Sequence, residues 1–169
     1  MLWLKKLGIE GTHAVLAAIE LGRRVLRASD RRPRLRTTQQ VYGYLEPALA
    51  ARRRERMHVL CLSSAYVLLA DVLVAEGTQE ECPMEPGDVF RPAVIVGARA
   101  VVLAHNHPCG DVRPSEEDLV LTQQAMRVGE VLGIQVLDHL IVGAGHYFSM
   151  AEGGLCGLVA PATARDRSR

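Results

Sequence analysis

Aromatic residues make up only 4% of this chain: one Trp, four Tyr and two Phe among 169 residues. Its core must therefore be aliphatic, built from Val, Leu, Ala and Ile. Hydrophobic residues reach 49%, enough for a real core, so global disorder is not expected. No C-x-x-C pair occurs. Cys61, Cys82, Cys109 and Cys156 are scattered, which argues against a cysteine zinc site. There is no run of 18 apolar residues and nothing resembling a secretion signal. A soluble cytoplasmic protein with reduced thiols is expected, with no membrane partner. Internal repeats and low-complexity blocks are also missing.

A net charge of one sign is almost absent too, at +1, but the balance hides an asymmetry. From Met1 to Arg56 there are 13 Lys/Arg against 5 Asp/Glu, or +8; from Met57 onward there are 7 against 14, or −7. The basic front half suits an acidic partner such as nucleic acid, the acidic half of its own fold, or simply a solvated surface.

What is present reads as alternating elements. "THAVLAAIELGRRVLRAS" has helical spacing, with Val15, Leu16, Ile19 and Val25/Leu26 on one stripe. "DRRPRLR" is basic and proline-interrupted, the composition of a linker. "TTQQVYGYLEPALAARRRE" predicts a second helix capped by Thr37 or Thr38. "MHVLCL" and "YVLLADVLVAEGT" predict a hairpin broken at Ser63-Ser64, with Gly77-Thr78 as a closing turn. "PGDVFRPAVIVGA" predicts a short helix capped by Asp88, in which Pro92 fits only the first turn. "AVVLAH" has the pattern of a buried central strand. "PSEEDLVLTQQAMRVGEVLG" predicts a long helix opened by Pro114 and Ser115 and ended by Gly133. "IQVLDHLIVG" and "HYFSM" predict two further strands. The expected class is α/β: a mixed sheet flanked by helices, behind a basic helical front end.

The chemistry concentrates in "AHNHPCGDVRPSEED". Residues i and i+2 of a strand share a face, so His105 and His107 project in parallel from the strand end. Parallel imidazoles suit a divalent transition metal. Pro108 and Gly110 turn the chain, Ser115 opens the helix, and Asp118 lies one turn inside it, able to face back as a third ligand. Two nitrogens and one carboxylate oxygen leave a fourth tetrahedral position for water, the layout of a catalytic zinc site. The plainer alternatives are that H-x-H binds nothing, and that "SEED" is only a capping box with Ser115 as cap and Asp118 at the third helical position. The two roles are compatible, since a cap fixes the geometry a ligand needs.

H-x-H, seven residues, then S-x-x-D at a strand-to-helix junction resembles the JAMM (MPN+) metalloprotease motif. "AHNHPCGDVRPSEEDLVLT" followed by "VLDHLIVG" is similar to the RadC branch of that family. "GIEGTHAVLAAIELGRR" and "RERMHVLCL" extend the resemblance from about Leu7 to Gly154. The resemblance implies a cytidine-deaminase-like core, one zinc ion on His105, His107 and Asp118, and hydrolysis of a peptide or isopeptide in a protein substrate. Glu55 matches the glutamate that takes a proton from the activated water. Ser115 matches the residue that helps hold the oxyanion. Glu55 also sits among Arg52, Arg53, Arg54 and Arg56, so a surface ion pair is an alternative, with Glu76 and Asp71 as substitutes. His139 and Asp138 suit structural or supporting roles. Asn106 points away from the histidines and suits a backbone organiser. Cys109 stands where this branch usually has serine; a fourth-ligand role is the alternative to a turn that directs it away. His13, His58 and His146 carry no local pattern.

The resemblance divides the chain into 1–36, a partial helix-hairpin-helix segment with linker; 37–157, the catalytic domain; and 158–169, a frayed tail. RadC proteins carry a G-x-G in that hairpin, whereas Gly8-Ile9-Glu10-Gly11 stands here, and only the second half of the module is matched. DNA contact through this segment, with Arg23, Arg24 and Arg27, is therefore expected to be weak. Val72 replaces an acidic residue and Pro86-Gly87-Asp88 replaces "P-R-E", both away from the metal set. The rival functions are a DNA-associated accessory protein for repair or recombination, and a metal-free scaffold for protein contacts.

Overall fold

The computed structural model describes residues 8–29, 32–49, 52–77 and 85–157. The chain divides at Pro33/Arg34 into two units. The first contains helix α1 (Gly8–Ser29), as its helical spacing predicts. Arg23 is exposed there; the side chains of Arg24, Val25, Leu26 and Arg27 lie outside the described residues.

The second unit holds α2 (Thr38–Leu49), β1 (Arg56–Leu62), β2 (Leu68–Glu76), α3 (Pro86–Ile95), β3 (Ala100–Asn106), α4 (Glu116–Leu132), β4 (Gln135–Val142) and β5 (Tyr147–Ser149). The strands form one mixed sheet in the order β2-β1-β3-β4-β5. Only β3 and β4 run parallel, joined by the α4 crossover; the other pairs are antiparallel. The aliphatic core lies in two layers. Val59, Cys61, Val101, Leu103 and Ile141 pack under α3 and α4, where Val89, Phe90 and Ala125 meet them. On the other face Leu60, Leu62, Val102, Ala104 and Leu140 pack against Val41, Leu45 and Leu49 of α2. Every residue of β3 is buried, which explains its unbroken apolar run.

Several local expectations are corrected. The stretch from 30 to 36 is not all linker: Arg34 bridges Val67 and Leu35 is buried in the core. Helix α2 is capped by Thr37, whose Oγ1 accepts from Gln40 N, but it ends at Leu49; Arg52–Glu55 are not helical. The hairpin turns at Ser63–Tyr66, where Tyr66 N donates to Ser63 O. Gly77 stands at the opposite, open end, donating to Glu55 O, and Thr78 lies outside the described residues. Asp88 does not cap α3. Glu85 holds the cap position and Pro86 the first helical one, while Asp88 reaches back to Glu85 N at 3.2 Å. Pro92 falls in the second turn rather than the first. It removes one helical hydrogen bond, and burial of Val89, Phe90 and Ala93 around it outweighs that loss. The tail from 158 and Cys82 lie outside the described residues.

Helix α4 follows its sequence signals closely. Ser115 is the cap, with its Oγ accepting from Asp118 N at 3.1 Å. Gly133 ends the helix in the left-handed region at φ 66°, which glycine adopts without a Cβ penalty.

Candidate metal centre

Strand β3 ends beside the start of α4, and the candidate ligands converge there. His105 is fully buried and His107, one residue past the strand, is about one-sixth exposed. Their Nε2 atoms lie 2.9 Å apart. Asp118 Oδ1 stands 3.2 Å from His105 Nε2, and Asp118 Oδ2 stands 3.7 Å from His107 Nε2. Glu55 Oε1 lies 3.8 Å from His105 Nε2, with its side chain 13% exposed.

The far sides of both rings are already engaged. His107 Nδ1 lies 2.5 Å from the Asp111 carbonyl, which can only accept, so Nδ1 carries the proton. His105 Nδ1 lies 2.9 Å from His139 Nε2. The loop that supplies the Asp111 carbonyl packs tightly on the end of β4. A Cβ on Gly143 would lie 2.7 Å from Val112 Cγ1 and 2.9 Å from the Gly110 carbonyl. Glycine at 143 is what lets this loop approach.

Electrostatically the carboxylates favour positive charge in the cluster. A hydrogen bond to the accepting Asp118 carboxylate pushes His107 up to about 9, against burial, with the Asp111 carbonyl and the charges of Asp118 and Glu55 adding to the rise. Asp118 is held far below the ordinary carboxylate range: burial raises it, and the neighbouring His105 and His107 rings with the Ser115 N–H more than reverse that. Burial raises Glu55; the histidines lower it and Asp118 raises it. Burial pushes the His139 ring down to about 3, with repulsion from His105 second. Two overlapping groups could hold a metal ion, Glu55 with His105 and His107, and His105 with Asp118 and His139; mixed nitrogen and oxygen ligands of this kind fit a divalent metal.

Glu55 is aimed by its backbone. Asn106, on the opposite face of β3 from the histidines, accepts Arg56 N–H at 3.0 Å and donates to Arg54 O at 3.1 Å. It grips the chain on both sides of Glu55. The Glu55 carbonyl accepts Gly77 N–H at 3.0 Å. Glu55 therefore points inward while its arginine neighbours pair elsewhere: Arg54 and Arg56 both reach Glu76.

The RadC-like JAB domain family matches residues 35–155. This chain belongs to that family. It is 40% identical over 152 residues to a UPF0758 protein of Symbiobacterium thermophilum, covering 90% of this chain and 65% of that one. A UPF0758 protein of Carboxydothermus hydrogenoformans is 38% identical over 147 residues, covering 86% and 65%. One of Staphylococcus aureus is 34% identical over 152 residues, covering 89% and 70%. The chain thus spans about two thirds of the length of these relatives.

Within the family's domain, the remaining expected residues separate. Ser115 is committed to the cap: its Oγ donates to Asp118 Oδ2 at 2.8 Å, and its N–H meets the same oxygen at 2.9 Å. Cys109 is exposed on the turn. Asp71 pairs with His58 at 2.7 Å and Glu76 with the arginines, so neither substitutes for Glu55. His13 and His146 are exposed. Asp138 faces the α2 side, where Oδ2 accepts from Ser149 and Thr38, and Oδ1 from Ala151 N and His139 N. Thr122 went unremarked in the sequence. It is fully buried and contacts His139, and its place follows from helical spacing four residues after Asp118.

Proposed function

We propose that this domain is a zinc-dependent amide hydrolase acting on a peptide or isopeptide bond in a protein substrate. One observation supports this: His105 Nε2 lies 2.9 Å from His107 Nε2, 3.2 Å from an Asp118 oxygen and 3.8 Å from a Glu55 oxygen. Zinc, when bound, would supply a Lewis acid that lowers the pKa of water and polarises a carbonyl. His105, His107 and Asp118 would hold it. Asp118 divides its work, giving Oδ1 toward His105 and Oδ2 to the Ser115 cap. Glu55 would accept a proton at Oε1 and pass it to the leaving amine. Its partial burial and raised pKa suit a carboxylate that must hold a proton transiently. Ser115 would serve the oxyanion only by turning its hydroxyl from Asp118 toward the substrate.

The test is metal content together with hydrolysis. Purified protein should carry zinc, His105→Ala should lose it, and Glu55→Gln should keep it while losing turnover of a peptide-bond substrate. Protein that takes up no zinc would overturn the proposal.

A DNA-associated role for the basic front segment is the second proposal, carried by the +8 balance of residues 1–56. Phosphate contacts of that kind must weaken steeply with salt. Affinity for duplex or single strands that is absent, or flat against salt, removes it.

A further inference from the structure

Behind the candidate ligands lies a fully buried chain of polar groups that the proposed hydrolysis does not use. His105 Nδ1 meets His139 Nε2 at 2.9 Å, and His139 Nδ1 meets Thr122 Oγ1 at 2.7 Å. Thr122 Oγ1 meets the Asp118 carbonyl at 2.6 Å. Thr122 and His139 both have 0% exposure, so bulk water does not reach them. Among the described residues, every buried side-chain nitrogen and oxygen has a partner.

The placement follows from the one group whose role is fixed. The Asp118 carbonyl can only accept. An O···O separation of 2.6 Å requires a proton between the atoms, so the Thr122 hydroxyl donates to that carbonyl. A hydroxyl has one proton, so Thr122 Oγ1 must accept from His139 Nδ1–H. The other atom near it, Met150 Sδ at 3.4 Å, is also an acceptor and changes nothing. A neutral His139 then offers a bare Nε2, which accepts from His105 Nδ1–H. That leaves His105 Nε2 without a proton, facing His107 Nε2 and Asp118. The opposite tautomer of His105 would place a proton where a metal must bind.

We propose that Thr122 and His139 are positioning residues that lock His105 in the Nδ1–H tautomer and so present Nε2 for metal. The relay begins and ends on Asp118. Its backbone carbonyl starts the proton order and its carboxylate meets the nitrogen which that order leaves bare. Strand β3, strand β4 and helix α4 are thereby tied into one ligand-presenting unit. His139 supports a ligand and is not itself one. The proposal rests on the metal site proposed above, and the test separates the two.

The direct readout is the nitrogen-15 spectrum of the imidazoles in zinc-free protein, with His105 assigned by substitution. The relay requires Nδ1–H on His105 and on His139. An Nε2–H tautomer on either overturns it, whether or not the protein binds zinc. The second readout is zinc affinity by chelator competition. His139→Leu and Thr122→Val should weaken zinc binding by about 10- to 100-fold, the usual cost of losing a ligand's hydrogen-bond partner. His139→Gln, whose amide oxygen can accept from His105, and Thr122→Ser, which keeps the hydroxyl, should restore most of it. Wild-type affinity in a folded Thr122→Val protein, or no rescue by Thr122→Ser, would overturn the relay. A cobalt-loaded His139→Gln protein should keep the wild-type visible spectrum. A changed spectrum would make His139 a ligand and also overturn it. Should His139→Leu fail to fold, the Thr122 pair and the spectra of the unaltered protein still decide.

Discussion

Single residues at the end of β3 divide their work by face. His105 and His107 meet Asp118 and Glu55, while Asn106 between them turns the other way and holds the backbone of Arg54 and Arg56. Asn106→Leu should therefore act at a distance. It takes the Asn106 partner from one backbone N–H, that of Arg56, and from the carbonyls of Arg54 and Arg52, costing about 1–3 kcal/mol for each group left buried and unpaired. The proposed hydrolysis should fall with zinc content unchanged, because Glu55 loses its aim; equal turnover in a folded, zinc-loaded Asn106→Leu protein would contradict this. Asp138 makes a pH prediction. Burial raises its pKa, although Ser149, Ala151 and His139 donate to it and pull it down. The folded chain thus holds the proton to higher pH than the unfolded chain does. The stability it contributes is complete below the ordinary carboxylate pKa and is lost as pH rises through the folded one. Asp138→Asn cannot titrate, so urea unfolding across that window should show a flatter pH dependence than wild type. The H-x-H spacing brought the two histidines together because they are two residues apart at the strand end, although His107 lies just past β3. The inward turn of Glu55 was not legible, because it depends on Asn106, about fifty residues along the chain.

At the scale of elements, α4 was the most legible. Its cap, its third-position acid and its terminal glycine all act within a turn or two of themselves. Ser115→Ala should cost about 1 kcal/mol of stability as a lost cap. It should also weaken zinc binding, because Asp118 Oδ2 loses the Ser115 hydroxyl; denaturant unfolding and chelator competition measure the two effects separately. The loop from Pro108 to Pro114 was less legible, since its shape depends on β4. Gly143→Ala would drive a methyl group into Val112 and the Gly110 carbonyl, both under 3 Å away. The loop should shift, move the Asp111 carbonyl from His107 Nδ1 and lower zinc affinity several-fold. Unchanged affinity and an unchanged His107 nitrogen-15 signal would show that the loop does not set that ligand. Helix α3 shows the opposite failing of local rules. Its proline in the second turn is tolerated because one face packs into the core, which no local propensity records.

For the whole molecule, metal and fold should be linked. The proposed ligands come from β3, the turn after it and α4, so an ion held there stabilises the folded chain over the unfolded one. Free zinc at one hundred times its Kd contributes about 2.7 kcal/mol. Chelation should therefore lower Tm by several degrees, zinc should restore it, and His105→Ala should abolish the difference. No helix among the described residues is long and apolar enough to cross a membrane. What the sequence determined by itself was whatever depends on near neighbours: the helices, the buried strand, the closeness of the two histidines and the cap that carries Asp118. The tertiary structure alone decided how partners distant in sequence meet. It brought Glu55 to the histidines and set His139 and Thr122 behind His105. The reason is physical: strand and helix periods fix directions over a few residues, whereas contact between β1, β3, β4 and α4 depends on how the whole sheet pairs and packs.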